Sequence, residues 1–101
     1  MPEDAELKRL LWYTLGGARG GENRARILHE LRTRPSNQNQ LATKLGLDYR
    51  TVIHHIDVLR QNSLVTSEGA KYGAAFFLSP RLEQSIKLFE DICSELKFKF
   101  P

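Results

Sequence analysis

The chain has a single cysteine, Cys93. It can form no intrachain disulfide and no cysteine cluster for zinc, which suits a reducing cytoplasm. No apolar run approaches the roughly 18 residues needed to cross a bilayer. A secretory signal is not expected, because Met1–Arg9 is mostly charged and Leu10–Leu15 is too short for an apolar core. Internal repeats, low-complexity tracts and long linkers are also missing, so the 101 residues are expected to form one domain with a modest core. No Ser-His-Asp set, paired-carboxylate cleft or metal quartet can be assembled, which argues against an enzyme and against any cofactor.

The charge that is present is unevenly placed. The net charge is +3, weak evidence by itself for a polyanionic partner. Residues 19–66 hold eight Lys or Arg against four acids, whereas residues 67–101 hold five of each. The positive excess lies with the half of the chain that contains the stretch 37–62, NQNQLATKLGLDYRTVIHHIDVLRQN. There Asn37 is placed to cap a helix Gln38–Leu45, and Gly46 suits the left-handed residue that ends it. Asp48 is the next cap, and a second helix Tyr49–Asn62 follows. Leu41, Leu45 and Leu47 point into the angle between the two, met by Val52, Ile56 and Leu59. This is a helix-turn-helix pattern, whose second helix enters the DNA major groove.

Around it the periodicity predicts a first helix over 3–15, with Leu7, Leu10, Leu11 and Thr14 on one face. Gly16, Gly17, Gly20 and Gly21 resemble a phosphate cradle but lack the lysine–serine/threonine end of a P-loop, so they read as a loop. A second helix spans Glu22–Arg34. Its buried stripe is Ile27, Leu28 and Leu31; Arg24, Arg26, Arg32 and Arg34 are assigned to polar faces, as is His29, without a role. Pro35 ends it.

Residues 64–78 read as a β-hairpin, with strands at Ser63–Ser67 and Ala74–Leu78 and a glycine-containing turn between them. Phe76 or Phe77 should pack on the core, and Lys71 and Tyr72 stand at the tip. Ser79 then caps a last helix, with Pro80 at its first position, running to 97 or 98. Leu82, Ile86, Phe89, Cys93 and Leu96 are spaced as a heptad-like seam. With Leu11 and Trp12 of the first helix, that seam is expected to pair two copies of the chain; a monomer with a broadly buried last helix is the alternative. The fold class expected is mainly α with a small β-hairpin (α+β): a winged helix-turn-helix domain, 1–101, with terminal helices at a dimer interface.

The segment Leu47-Asp48-Tyr49-Arg50-Thr51-Val52-Ile53-His54-His55-Ile56-Asp57-Val58-Leu59, followed by Leu64-Val65, resembles the ArsR-like winged-helix transcription regulators. Their pattern is threonine-valine, one variable position, two histidines, an aliphatic residue and a nearby leucine, then a leucine-valine strand. The NQLA and LDYRTV segments and the YG-x-x-FFLSP wing ending look like the archaeal branch. The resemblance covers residues 22–82 and implies DNA binding. Metal-sensing members carry cysteines in the first helix of the motif or histidine-acid sets in the last helix; neither is present here, so no metal is expected.

Counting round the second helix of the motif, the outward positions are Tyr49, Arg50, Ile53, His54 and Asp57. Arg50 is the candidate for base readout, since its fork matches guanine O6 and N7. Tyr49, Thr51 and His54 can meet phosphate or bases, and Ile53 a thymine methyl. Gln38, Asn39, Lys44 and Lys71 are further candidate DNA contacts. His54 and His55 lie about 100° apart around the helix and cannot hold one metal together; His55 faces nearer the core. The expected partners are double-stranded DNA and a second copy of the chain, in the cytoplasm and away from membranes. A protein-interaction module and a non-specific architectural DNA binder stay open as alternatives.

Overall fold

The computed structural model describes residues 4–17, 19–68 and 73–100. Helix α1 (Ala5–Leu11) begins where Asp4 Oδ1 accepts the Leu7 N–H at 3.1 Å. The predicted uninterrupted helix to residue 15 is corrected, because Trp12–Gly16 widens into a π-helical turn. Thr14 gives a physical reason. Its hydroxyl donates to Leu10 O at 2.8 Å, and its carbonyl accepts from the buried Arg24 Nε at 2.8 Å. Gly16 is needed there, since a Cβ would lie 2.8 Å from the Trp12 ring.

Helix α2 (Gly21–Thr33) runs through the centre and buries Ile27, Leu28 and Leu31 as its spacing predicts. Helices α3 (Gln38–Leu45) and α4 (Tyr49–Gln61) form the helix-turn-helix. Strands β1 (Val65–Glu68) and β2 (Ala75–Leu78) pair antiparallel, with Val65 opposite Leu78 and Glu68 opposite Ala75. Phe76 is buried and Phe77 half-buried, in line with the alternation of a strand. The free edge of β2 takes a partner that spacing did not reveal. Phe76 N–H donates to Ser36 O at 2.9 Å, and Ser36 N–H donates to Phe76 O at 3.3 Å. This pairing satisfies backbone groups that would otherwise be lost on burial.

The C-terminal helix is also corrected. Ser79 and Pro80 start it as expected, with Ser79 Oγ accepting the Leu82 N–H at 3.2 Å. It breaks at Ser85, dividing α5 (Pro80–Gln84) from α6 (Ile86–Glu95). The break separates Leu82 from the rest of the heptad spacing. Lys97 then turns with φ 63, and Phe98 N–H donates to Cys93 O at 3.0 Å. The tail folds back so that Phe100 stacks on His29, with ring centroids 4.4 Å apart. His29, unassigned from sequence, thus has a packing role.

Two ion-pair sets join the ends of the chain to the rest. Arg81 binds both carboxylate oxygens of Asp4, at 2.6 and 2.7 Å, and Glu6 at 2.8 Å. Arg32 on α2 meets Glu90 on α6 at 2.7 Å. Arg81 holds the Asp4 carboxyl down to about 2, assisted by the Leu7 N–H.

Candidate nucleic-acid interface

The helix-turn-helix is built from local hydrogen bonds. Asn37 Oδ1 accepts the Gln40 N–H, and Gln40 Oε1 accepts the Asn37 N–H, both at 2.8 Å. This reciprocal cap fixes the start of α3. Gly46 takes φ 66, and Leu47 N–H reaches back to Ala42 O at 3.0 Å. Asp48 Oδ2 then accepts from the Arg50 N–H at 2.9 Å and the Thr51 N–H at 3.4 Å. Arg26, assigned to a polar face from sequence, closes the end of α3 instead. Its Nη2 donates to Leu45 O at 2.7 Å, and its Nη1 to Asn23 Oδ1 at 3.0 Å.

Helix α4 buries Val52, His55, Ile56 and Leu59. Tyr49, Arg50, His54 and Asp57 are exposed, and Thr51 and Ile53 half-buried. The Arg50 and Lys44 side chains make no hydrogen bond or ion pair among the described residues. Gln38 Nε2 lies 3.5 Å from Tyr49 O, at the limit of a hydrogen bond. A cleft of about 150 Å³ is lined by Asn37, Gln38, Asn39, Tyr49, Gly73, Ala74 and Phe76. It brings Gln38, Asn39 and Tyr49 together beside the hairpin. Lys44 borders a different and larger groove, about 850 Å³, between α2 and α3, together with Arg26, His29, Arg34 and Phe100. Lys71 and Tyr72 lie outside the described residues.

The residues expected at a dimer interface divide sharply. Leu11 and Leu82 are 0% exposed, Phe89 2% and Cys93 4%, all within one chain's own core. The expectation that these four present an open seam is corrected: each is enclosed by its own chain, Leu11 from α1, Leu82 from α5, and Phe89 and Cys93 from α6. Trp12, Ile86 and Leu96 are half-buried and keep apolar surface outside, and Tyr13, next to Trp12 in the chain, is 66% exposed. Burial pushes the Cys93 thiol up to about 11, which disfavours the reactive thiolate. Among the described residues no three of His, Cys, Asp and Glu gather around a possible metal position, and no helix is long and apolar enough to cross a membrane.

Arg24 is the residue that sequence reasoning misplaced most. It is only 3% exposed. Besides Thr14 O, it donates from Nη2 to Arg19 O at 3.2 Å and from Nη1 to His55 Nδ1 at 3.1 Å. Its spacing from Ile27, Leu28 and Leu31 puts it on the buried stripe, and that spacing was the available signal.

Residues 21–67 match the family model described as bacterial regulatory protein, arsR family. No curated protein sequence matches the chain. Among solved structures, HlyU from Vibrio cholerae N16961 is similar at 20% identity and a TM-score of 0.70, over 91% of this chain and 97% of that one. The transcriptional regulator HlyU from Vibrio vulnificus CMCP6 is similar at 23% identity and TM-score 0.68, over 88% and 90%. An ArsR-like transcriptional regulator from Rhodococcus sp. RHA1 is similar at 24% identity and TM-score 0.64, over 92% and 84%. The chain therefore has the winged helix-turn-helix fold of these structures, and the stretch that matches the arsR-family model, residues 21–67, takes in the helix-turn-helix and the first strand of the hairpin.

Proposed function

We propose that the protein is a transcription regulator that binds double-stranded DNA sequence-specifically, as a homodimer, with α4 in the major groove. The observation that carries this reading is the outer face of α4. It presents Tyr49, Arg50 and His54 to solvent, with the Arg50 guanidinium unbonded among the described residues. A fork that meets no acceptor among the described residues is available for guanine O6 and N7. Gln38, Asn39 and Tyr49, gathered at one cleft, are suited to phosphate contacts that set the register, with Thr51, Ile53, Lys44 and Lys71 as further contacts. A dimer built on the surface left by Trp12, Tyr13, Ile86 and Leu96 would read half-sites about 34 Å apart. The reading places the protein in the cytoplasm, without a resident metal or cofactor. On its histidine pair and wing ending we assign it to the archaeal-type branch.

The test is fluorescence anisotropy against labelled duplex from upstream of its own gene and against a scrambled duplex, at several salt concentrations. Specific binding, steeply weakened by salt and by Arg50→Ala and His54→Ala, is the expected result. Equal, weak binding to both duplexes would replace specific regulation with architectural binding. No binding even at low salt would favour a protein-interaction module.

A further inference from the structure

Arg24 and His55 lie at the meeting of four elements: the π turn, the loop before α2, α2 itself and α4. Both are nearly excluded from water, Arg24 at 3% and His55 at 6% exposure. The guanidinium has donors only. Its bond of 3.1 Å to His55 Nδ1 therefore requires a lone pair on that nitrogen, so the imidazole is neutral with its proton on Nε2. The remaining Arg24 donors go to the Thr14 and Arg19 carbonyls. Arg24 is thus bonded to the π turn, to the loop and to the recognition helix at once.

The loop leaves no slack around the pair. A Cβ on Gly20, which has φ 89, would lie 2.6 Å from His55 Cε1 and 3.2 Å from Arg24 Nη1. A Cβ on Gly21 would lie 2.1 Å from Leu15 O. The GG pair that resembled a phosphate cradle is what allows the loop to close on the imidazole.

We propose that the Arg24–His55 bond is a proton-sensitive strut that fixes α4 to the loop before α2, and that protonating His55 releases it. A protonated ring would turn its accepting nitrogen into a donor facing a donor and set two cations in contact in a buried site. The groups that bear on the pair are Arg24 from α2, His54 beside it on α4 (ring centroids 5.3 Å from His55) and the Tyr13 phenol from the π turn. No carboxylate bonds either side chain among the described residues. Burial, then the Arg24 and His54 charges, lowers the His55 pKa. The sign follows: the contribution is complete above the ordinary imidazole range and is lost as pH falls through that range toward the lowered folded value. That this release weakens DNA binding rests on the role proposed for α4.

The experiment is histidine-ring NMR and amide hydrogen exchange on the full chain from about pH 7.5 to 5. The expected ring state is the Nε2–H tautomer, with His55 titrating below the ordinary imidazole range. Protection of the Gly20–Arg24 and Val52–Ile56 amides, corrected for intrinsic exchange, should fall together by about tenfold per pH unit below about 6.5. In His55→Asn the amide oxygen stands near the Nδ1 position and cannot titrate, so protection should stay flat. If that variant does not fold, the wild-type data decide. An Nδ1–H tautomer, an unlowered His55 pKa, or loop protection unchanged through the titration would overturn the strut. A DNA arm is run in a His54→Gln background, which removes the exposed histidine. Affinity that falls with pH there, and not in the double variant with His55→Asn, supports the consequence for binding. Absence of binding by the unsubstituted chain at every pH sinks the DNA reading alone, with the ring and exchange data still deciding the strut.

Discussion

On the inner face of α4, Val52, His55, Ile56 and Leu59 are enclosed; on the outer face Tyr49, Arg50, His54 and Asp57 meet water. Two arginines sharpen the contrast. Arg24, pressed against the inner face, spends its donors on two carbonyls and an imidazole. Arg50, on the outer face, spends none of its guanidinium donors on the described residues. A buried cation must be bonded in place, because an unpaired one costs several kcal/mol. An exposed cation already has water and can exchange it for another acceptor. Substitutions should therefore separate by face, the inner ones moving stability and the outer ones moving recognition.

The largest effect is expected from the inner face. Ile56→Ala should lower unfolding free energy by about 2–5 kcal/mol, since Ile56 is 0% exposed and the space it leaves can close only in part. A urea titration with an unchanged slope checks this. A loss below about 1 kcal/mol would mean that the inner face is less tightly packed than its burial implies.

How far each face could be read in advance follows from the range of its interactions. The caps at Asn37 and Asp48 and the left-handed Gly46 act over a few residues, so the bounds of α3 and the start of α4 were legible. The outer face of α4 followed by counting from Val52, Ile56 and Leu59. The unread features depend on partners distant in sequence. Thr14 opens the π turn toward Arg24, and Phe76 finds Ser36 across α3 and α4. Phe100 settles on His29, 71 positions earlier. Heptad spacing failed to carry Leu82 into register with the later positions because Ser85 breaks the rotation on which spacing arguments depend, and spacing alone does not tell a face buried in its own chain from one left open. Arg24 was misassigned by residue type, although its position on the stripe of Ile27, Leu28 and Leu31 was visible.

Arg50→Ala tests the outer face. It should change stability by no more than about 0.5 kcal/mol, as for an exposed residue without special contacts. It should weaken binding to the upstream duplex by about 1–3 kcal/mol, the range for a lost bidentate base contact. Thermal unfolding and anisotropy on the same preparation separate the two quantities. A large stability loss would place Arg50 among the structural arginines and remove the contrast with Arg24.

Asp48→Ala should blur the two faces, because Asp48 caps the turn from which Arg50 projects. The expected stability loss is about 1 kcal/mol, with Asp48→Asn close to wild type because the amide oxygen can still cap. Duplex affinity should fall in the alanine variant and recover in the asparagine one. A fall in both would point to the Asp48 charge itself rather than to the cap.

The smallest effect expected lies far from α4 and separates two sources of acid sensitivity. Arg81 holds the Asp4 carboxyl down to about 2. The folded value is depressed, so this contribution is complete above the ordinary carboxylate range and fades as pH falls toward about 2. The His55 contribution fades at higher pH, from the ordinary imidazole range downward. Stability followed by urea titration across pH should therefore fall in two steps. Asp4→Asn should flatten only the lower step and His55→Asn only the upper. The lower step should be the shallower, because Asp4 and Arg81 both reach solvent, where water and salt screen the pair. If Asp4→Asn also removed the upper step, the fall in the imidazole range would originate at the junction of α1 and α5, not behind α4. The strut would then lose its thermodynamic support even if the bond itself were observed.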